Sequence, residues 1–366
     1  MKCEIEFLAV GDASCAGDAI IVRYGDERLW ELMLVDGGHA ATGEKIVGHL
    51  KTYFGADVTL EHVVLTHSDG DHASGLRKVL EEVHVRNVWL HIPWFSADPT
   101  LFDSAWSAEG LQKAIQREYD IISEIVDLAH SQGSVLHYPF TGALIGPFFV
   151  CSPTLYAYQN LLPQFDKTPD PNEAVIRARN MWLGKESLAQ RIFGAARTSV
   201  AGWTAEDWLD ERLQDGGLTS ASNESSVVLY GRFDQGNVLL TGDAGINALT
   251  WSANYLESQQ LPLRQFSFVQ VPHHGSRRNV GPTILNRVLG PIAEPGSVPH
   301  FSAFVSAPAD DAKHPRRIVT NAFRRRGARV IATQGQDKIH YGGFGKRAGY
   351  VDVTPLPFFD IVEEYD

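Results

Sequence analysis

Apolar and polar positions alternate in short runs through the first 65 residues of the chain. IEFLAVG, AIIVRYG and LMLVDGG each read as a strand that stops at a glycine or aspartate corner, and a short helical piece leads into a further strand, VVLTHSD. The same arrangement returns at GNVLLTGDAG (236–245) and FSFVQVPHHGS (266–276), so several apolar strands deliver polar side chains at one end. Strand ends are where α/β folds place their chemistry. Between these runs, residues 109–132 carry Leu111, Ile115, Ile122, Ile125, Val126 and Ala129 at helical spacing and stop at Gly133, which predicts one amphipathic helix. Residues 153–218 lack strand alternation. They begin with Pro153, Pro163, Pro169 and Pro171 and then become helical around WLGKESLAQRIFGAAR and TAEDWLDERLQ, which predicts a mostly helical insertion or lid. Its Trp203 and Trp208 are expected to pack inside that insertion. From residue 301 the order FSAFVSA, RRIVTNAFRRRG, ARVIATQG predicts a closing strand, helix and strand. The whole reads as one α/β domain over 1–366, with the insertion inside it.

Composition narrows the class without changing this outline. The 366 residues are 44% hydrophobic, 10% aromatic and 21% charged, the balance of a globular chain rather than of a disordered, collagen-like or coiled-coil one. Cys3, Cys15 and Cys151 are too few and too scattered for a disulfide framework or a thiolate metal cluster. No run approaches the roughly 18 apolar residues of a membrane helix. The opening MKCEIEFLAVGDASC lacks a basic stretch followed by an apolar one, so a cytoplasmic, membrane-free location is expected. A net charge of -12 repels long polyanions unless a local basic patch reverses the field.

The stretch VVLTHSDGDHASGL (63–76) concentrates the chemistry: an apolar strand ends in His67, Asp69, Asp71 and His72 before small residues and a helix. Asp36 closes LMLVDGG, Asp243 closes VLLTGD, and His273 with His274 close FVQVPHHGS. Imidazoles and carboxylates at the ends of rigid strands suit a cage for two adjacent cations, with one carboxylate bridging them. Cations about 3.5–4 Å apart can hold a hydroxide between them and stabilise both oxygens of a phosphoryl displacement, so a metal-bridging hydroxide is the expected nucleophile.

This order of motifs resembles the metallo-β-lactamase superfamily, whose signature is H-x-H-x-D-H after a strand. The chain has H-x-D-x-D-H, with Asp69 in place of the second histidine, and that variant resembles the hydrolase domain of the ComEC/Rec2 group of DNA-uptake proteins. FLAVGDASCAGDAIIV, LMLVDGG, SNESSVVLY, TGDAG, HHGS and FVSAPADDAKHPRRIVTNAFRRRGARVIATQG follow in that group's order, over about residues 4–152 and 219–340. The resemblance implies a four-layer αββα sandwich. It also implies that His67, Asp69 and Asn223 surround one cation, that Asp71, His72 and one of His273 and His274 surround the other, and that Asp243 bridges. Asp71 and Asp243 are the catalytic carboxylates of this reading, and Asp36 is expected to orient a ligand by hydrogen bonding. Asn223 is equally readable as a turn residue leading into a strand. Only one of the two neighbouring histidines is expected to reach metal, because successive strand residues point apart. The oxygen-rich set favours Mn²⁺, while three imidazoles keep Zn²⁺ in play.

Lys313, His314, Arg316 and Arg317 in the closing motif, and Arg277 and Arg278 after HHGS, form the local basic patch. Lys313, His314, Arg277 and Arg278 are expected to bind substrate phosphate, with FRRRGAR (323–329) read equally as a solvated helical face. The predicted activity is metal-dependent hydrolysis of a phosphodiester, the substrate a short nucleic acid or nucleotide. Two alternatives stand beside it: hydrolysis of a small ester, lactone or phosphocholine-type compound, and a non-catalytic module that binds a partner protein through 153–218.

Overall fold

The computed structural model describes residues 1–12, 15–103, 106–182, 202–311 and 313–365. Two seven-stranded sheets face each other. The first runs in the order β15-β1-β2-β3-β4-β5-β6, with β1 Lys2–Phe7, β2 Ile20–Gly25, β3 Trp30–Val35, β4 Thr59–Val64, β5 His84–Trp89, β6 Val135–His137 and β15 Lys338–His340. The second runs β14-β13-β12-β11-β10-β8-β7, with β7 Leu144–Ile145, β8 Phe148–Ser152, β10 Val228–Phe233, β11 Gly236–Leu240, β12 Phe266–Gln270, β13 Phe301–Val305 and β14 Ala328–Ala332. A two-stranded ribbon pairs β9 Trp203–Ala205 with β16 Ile361–Glu363.

Strand alternation explains the layering. Within β2, Ile20 and Val22 join Phe7, Phe148, Phe268 and Phe304 in a core between the sheets, while Ile21 turns to the opposite face. There it meets Ile46, Leu50, Leu76, Val79, Ile115 and Ile122 from the helices covering the first sheet. On the second sheet Tyr230, Val269 and Val330 likewise face outward, against Ala248, Leu249, Ile284, Ile318 and Phe323. Helix, sheet, sheet, helix is therefore the layer order, the metallo-β-lactamase sandwich. Stretches such as Ile20–Val22 of β2 and Leu32–Val35 of β3 are apolar on both faces and read as continuous hydrophobic runs, whereas β1 alternates, with Glu4 and Glu6 on the face away from the inter-sheet core.

The same topology gathers the polar corners. Strands β3, β4 and β5 are parallel, as are β11, β12, β13 and β14, so the acids and imidazoles that end them emerge at one edge of the sandwich. Because β2 is antiparallel to β3, its beginning lies at that edge too.

Three expectations are corrected. The helix over 109–132 is two helices, Ala108–Glu118 and Asp120–Gln132, broken where Tyr119 leaves helical dihedrals (φ -112°, ψ 53°) and buries its ring. The predicted end at Gly133 holds, with a left-handed φ of 80°. TAEDWLDERLQ is not helical: it opens with β9 and continues as an irregular segment. Long-range partners override its local propensity, since Glu206 pairs with Arg325 and Glu211 makes a two-oxygen contact with Arg326 at 2.7 and 2.9 Å. Trp203 is 54% exposed, beneath the Arg317 guanidinium, whereas Trp208 is half-buried and donates to the Ala293 carbonyl. Nearly all of WLGKESLAQRIFGAAR lies outside the described residues.

Phe268 is fully buried between the sheets, with ring centroids 5.8 Å from Phe7 and 5.0 Å from Phe304. Phe268→Ala is expected to lower unfolding free energy by about 3–5 kcal/mol, read from urea denaturation, since it opens a cavity where both sheets are held.

Candidate metal centre

The strand-to-helix turn after β4 begins the site. The backbone N–H and hydroxyl of Thr66 donate to the two oxygens of Asp36, at 2.7 and 2.8 Å. With that hydroxyl proton committed, the Thr66 oxygen accepts from His67 Nδ1 at 3.0 Å. His72 Nδ1 bonds Asp36 directly at 2.8 Å. One fully buried carboxylate thus sets the tautomer of two histidines and turns both Nε2 atoms toward the site. Two glycines permit the close approach. A Cβ on Gly37 would meet the Leu76 backbone nitrogen at 2.6 Å, and one on Gly17 would meet the Asp71 carbonyl oxygen at 2.4 Å.

Asp243, 2% exposed, receives these groups from the second sheet. Its Oδ2 lies 3.9 Å from His67 Nε2 and 3.6 Å from His273 Nε2; its Oδ1 lies 3.5 Å from His72 Nε2 and 3.9 Å from His274 Nε2. Each oxygen faces its own imidazole pair. Asp69 stands 3.6 Å from His67 and is held by the Ser222 hydroxyl at 2.6 Å, while Asp71 falls in one group with His72 and His274. Both His273 and His274 therefore reach the cluster, against the expectation for strand neighbours. They lie beyond β12 in a turn with left-handed φ values of 46° and 54°, which removes the alternation of a strand. Their Nδ1 atoms are engaged, His273 with Asn279 Oδ1 at 2.8 Å and His274 with the Ser306 carbonyl at 3.2 Å, leaving Nε2 to point inward.

Asn223 sits on the one-turn helix Ala221–Glu224 and gives its Nδ2 to Thr219 at 2.7 Å, beside His273 Nδ1 at 3.2 Å. It borders the His67 and His273 side. The next residue, Glu224, faces the other way and caps the helix Ile246–Ser258 through Asn247 and Ala248; burial raises its pKa to about 7. The sequence reading missed Asp18, which is 1% exposed and grouped with Asp243 and His274, and in another combination with Asp36 and His72. Its sequence signal is an acid just ahead of an antiparallel strand, the end opposite to that of the acids that close strands.

The donor set fits divalent cations. His67, His72 and His274 Nε2 and Asp243 Oδ1 are buried without a hydrogen-bond partner. Separations of 3.5–3.9 Å are too long for hydrogen bonds. They are close to the roughly 3.4 Å between donors bound tetrahedrally to one ion at about 2.1 Å. Electrostatics agree: Asp18, Asp36, Asp69, Asp71 and Asp243 crowd four imidazoles, and among the described residues no lysine or arginine pairs with any of the five. Burial opposes charge on His72, yet Asp243 and Asp36 outweigh it and hold this imidazole well above the usual histidine range. Burial alone would raise Asp243, but His273, His72 and His274 keep it well below the usual carboxylate range. Burial pushes Asp18 up to about 7, with Asp243 and Asp36 adding and His72 opposing. Burial pushes His274 down to about 4. Asp69 is held at about 2 by His67 and Ser222 against its own burial.

A polar cleft of about 380 Å³ opens on this cluster, lined by Asp69, Asp71, Asp243, Asn223 and His273 and, across from them, by Tyr119 and residues 164–167 of the inserted segment. Among the described residues the cation in its lining is Lys167, not the residues expected from sequence. Arg277 is 5% exposed, donates to the Glu364 carbonyl at 2.7 Å and stacks on Tyr365. Arg278 and Lys313 are outside the lining. Arg325 and Arg326 are buried, Arg324 is half-buried and Arg329 is exposed, so FRRRGAR does not form a continuous solvated or phosphate-tracking face. His314 comes near: Asp311 holds its Nδ1 at 2.9 Å, Pro315 packs on Gly275, and burial, with a smaller contribution from neighbouring His273, lowers its pKa.

Two measurements test this geometry. Cation uptake must displace the proton that Asp243 and Asp36 hold on His72, so binding should release protons and tighten as pH rises, read by calorimetry in buffers of different ionisation enthalpy. Asp36→Asn should weaken metal affinity by about 10–100-fold, measured by equilibrium dialysis, since it removes the charge and puts an amide N–H₂ in place of one of the two oxygens that accept from Thr66 and His72.

The family model of the metallo-beta-lactamase superfamily matches residues 8–152. No curated protein matches the sequence. Among solved structures the chain is similar to Tm1679, a metal-dependent hydrolase of the beta-lactamase superfamily, at 13% identity and a TM-score of 0.42, covering 92% of this chain and 98% of that one. It is also similar to the metallo-beta-lactamase fold protein YhfI from Bacillus subtilis, at 10% identity and a TM-score of 0.40, covering 92% and 100%. The matched segment contains Asp36 and the turn from His67 to His72, so over residues 8–152 the chain resembles the metallo-beta-lactamase superfamily.

Proposed function

We propose that the protein hydrolyses a small phosphodiester at a centre of two divalent cations, Zn²⁺ or Mn²⁺. The observation that carries this reading is the shared carboxylate of Asp243, with one imidazole pair before each oxygen. Cations bound there would supply Lewis acidity and a water of lowered pKa. The chain's own residues do the rest. Asp243 fixes the spacing between the two positions, Asp69 and Asp71 face the cleft from the same turn, and Asp36 keeps both histidines of that turn in ligand tautomers. Phe165 and Tyr119, both nearly buried, wall the cleft, and Lys167 offers an ammonium to a phosphate oxygen. His314, with Nδ1 held by Asp311, has Nε2 left for a substrate oxygen.

Motif order like that of the ComEC/Rec2 group supports a nucleotide or short nucleic acid as substrate. The arginines that would track a long strand are engaged within the fold, and the net charge is -12, which favours the small end of that range. A small ester, lactone or phosphocholine-type substrate is the second reading, favoured by the adjacent opposite charges of Asp166 and Lys167 at the cleft. A partner protein docking on 153–218 is compatible with either.

With Mn²⁺ or Zn²⁺ supplied, the protein is expected to cleave bis(p-nitrophenyl) phosphate, and Asp71→Ala and Asp243→Ala should each lower kcat/KM by about 100-fold or more. Turnover of a lactone or choline ester with no phosphodiester cleavage would move the assignment to the second reading, and failure to bind either metal would remove both.

A further inference from the structure

Asp18 lies just ahead of β2, whereas the other carboxylates of the cluster among the described residues follow a strand or sit in the turn after β4. We infer that Asp18 is a ligand of the cation held by Asp71, His72 and His274, which makes that position oxygen-rich and suited to Mn²⁺, while the His67 and His273 position keeps a set suited to Zn²⁺. The inference rests on the metal-centre reading above and adds a residue and a selectivity to it.

Placement comes first. One Asp18 oxygen, one Asp243 oxygen and a nitrogen of His274 lie within 4.8 Å of one another, and the same holds for a combination of Asp18, Asp36 and His72. Asp18 thus borders the His72 and His274 side. It is 1% exposed, and among the described residues no lysine or arginine forms an ion pair with it. The hydrogen bond to its side chain comes from a neutral group, Gln270 Nε2 at 2.8 Å. A carboxylate has about four acceptor sites, so this bond leaves lone pairs for an ion. Three further groups lie together on that side: His72 Nε2 and His274 Nε2 are 3.5 and 3.9 Å from Asp243 Oδ1, and all three atoms are buried without a hydrogen-bond partner.

The donor counts then differ across Asp243. On the Oδ2 side stand His67, His273, Asp69 and Asp243, two nitrogens and two oxygens, which matches four-coordinate zinc. On the Oδ1 side stand His72, His274, Asp71, Asp243 and Asp18, two nitrogens and three oxygens. Hard oxygen donors in larger number suit Mn²⁺.

A competing role is structural. Gln270, which Asp18 holds, accepts with its Oε1 from the backbone N–H groups of Thr241 and Gly242 at 2.8 and 3.1 Å, just before Asp243. Asp18 would then act only by positioning that turn. Two variants separate the roles: Asp18→Asn removes the charge and keeps a polar group, whereas Gln270→Leu removes the link and keeps the carboxylate.

Metal content by mass spectrometry after equilibrium dialysis against Mn²⁺ and Zn²⁺ is the readout, with circular dichroism to confirm folding. The wild type should hold two ions per chain, one position preferring Mn²⁺. Asp18→Asn should weaken that Mn²⁺ by more than about 100-fold, beyond the usual cost of losing an outer hydrogen-bond partner, and leave the other ion in place. Gln270→Leu should retain both ions with less than a tenfold loss. Equal losses in the two variants, or unchanged binding in Asp18→Asn, overturn the inference. Should Asp18→Asn fail to fold, anomalous diffraction from Mn²⁺-loaded wild-type crystals decides: an Asp18 oxygen about 2.0–2.4 Å from the ion supports ligation, and one beyond about 3 Å overturns it. A wild type that binds neither metal defeats the metal-centre reading itself, a result distinct from two bound ions with Asp18 standing off.

Discussion

Asp243 is buried where the two sheets meet, with a pair of imidazoles before each oxygen and no lysine or arginine among the described residues paired with it. Burying one carboxylate without compensation is costly, and four others crowd the same edge. Protonated histidines can balance part of that charge, which is the direction of the shifts on His67 and His72. Two divalent cations would balance most of it and satisfy the nitrogens that hydrogen bonding leaves bare. The arrangement is poor as a stabilising core and good as a binding site, a trade-off proteins accept at functional positions.

Rigid neighbours hold that arrangement in place. Asp36 serves His67 through Thr66 and His72 directly, so one side chain sets two ligand orientations. Asn279 ties His273 Nδ1 to the backbone carbonyl of Asp243, and Gln270 ties Asp18 to the turn before Asp243. Left-handed backbone at Asp36, His273 and His274 is local strain, concentrated at the residues that face the site. The surrounding packing holds it, from the phenylalanine cluster between the sheets to the helices outside them.

The fate of the basic residues changes the view of the substrate. Arg325 and Arg326 fasten the segment after β9, and Arg277 fastens the end of the chain, so the charges most conspicuous in the sequence work inside the protein. Buried guanidinium groups with two-oxygen partners are effective clasps, because the planar fork fits a carboxylate. What remains at the cleft is a polar lining with Lys167, supplied by the inserted segment. On the proposed reading, substrate selection would fall to this segment, while the metal-facing side chains stay at strand ends.

Local signals in the sequence determined the strands, the glycine-bounded turns, the closing strand-helix-strand unit and the His/Asp run after β4, because each depends on periodicity or on residues adjacent along the chain. Asp36, Asp69, Asp71 and Asp243 were legible for the same reason. Sequence could not show that Asp18 joins them, since an acid opening an antiparallel strand reaches the shared edge only once β2 has paired with β3. Nor could it show that His273 and His274 both turn inward, which depends on two left-handed residues, or that the late arginines are buried, which depends on partners more than 100 residues away. Periodicity reports which face a residue occupies; only tertiary packing decides what stands opposite.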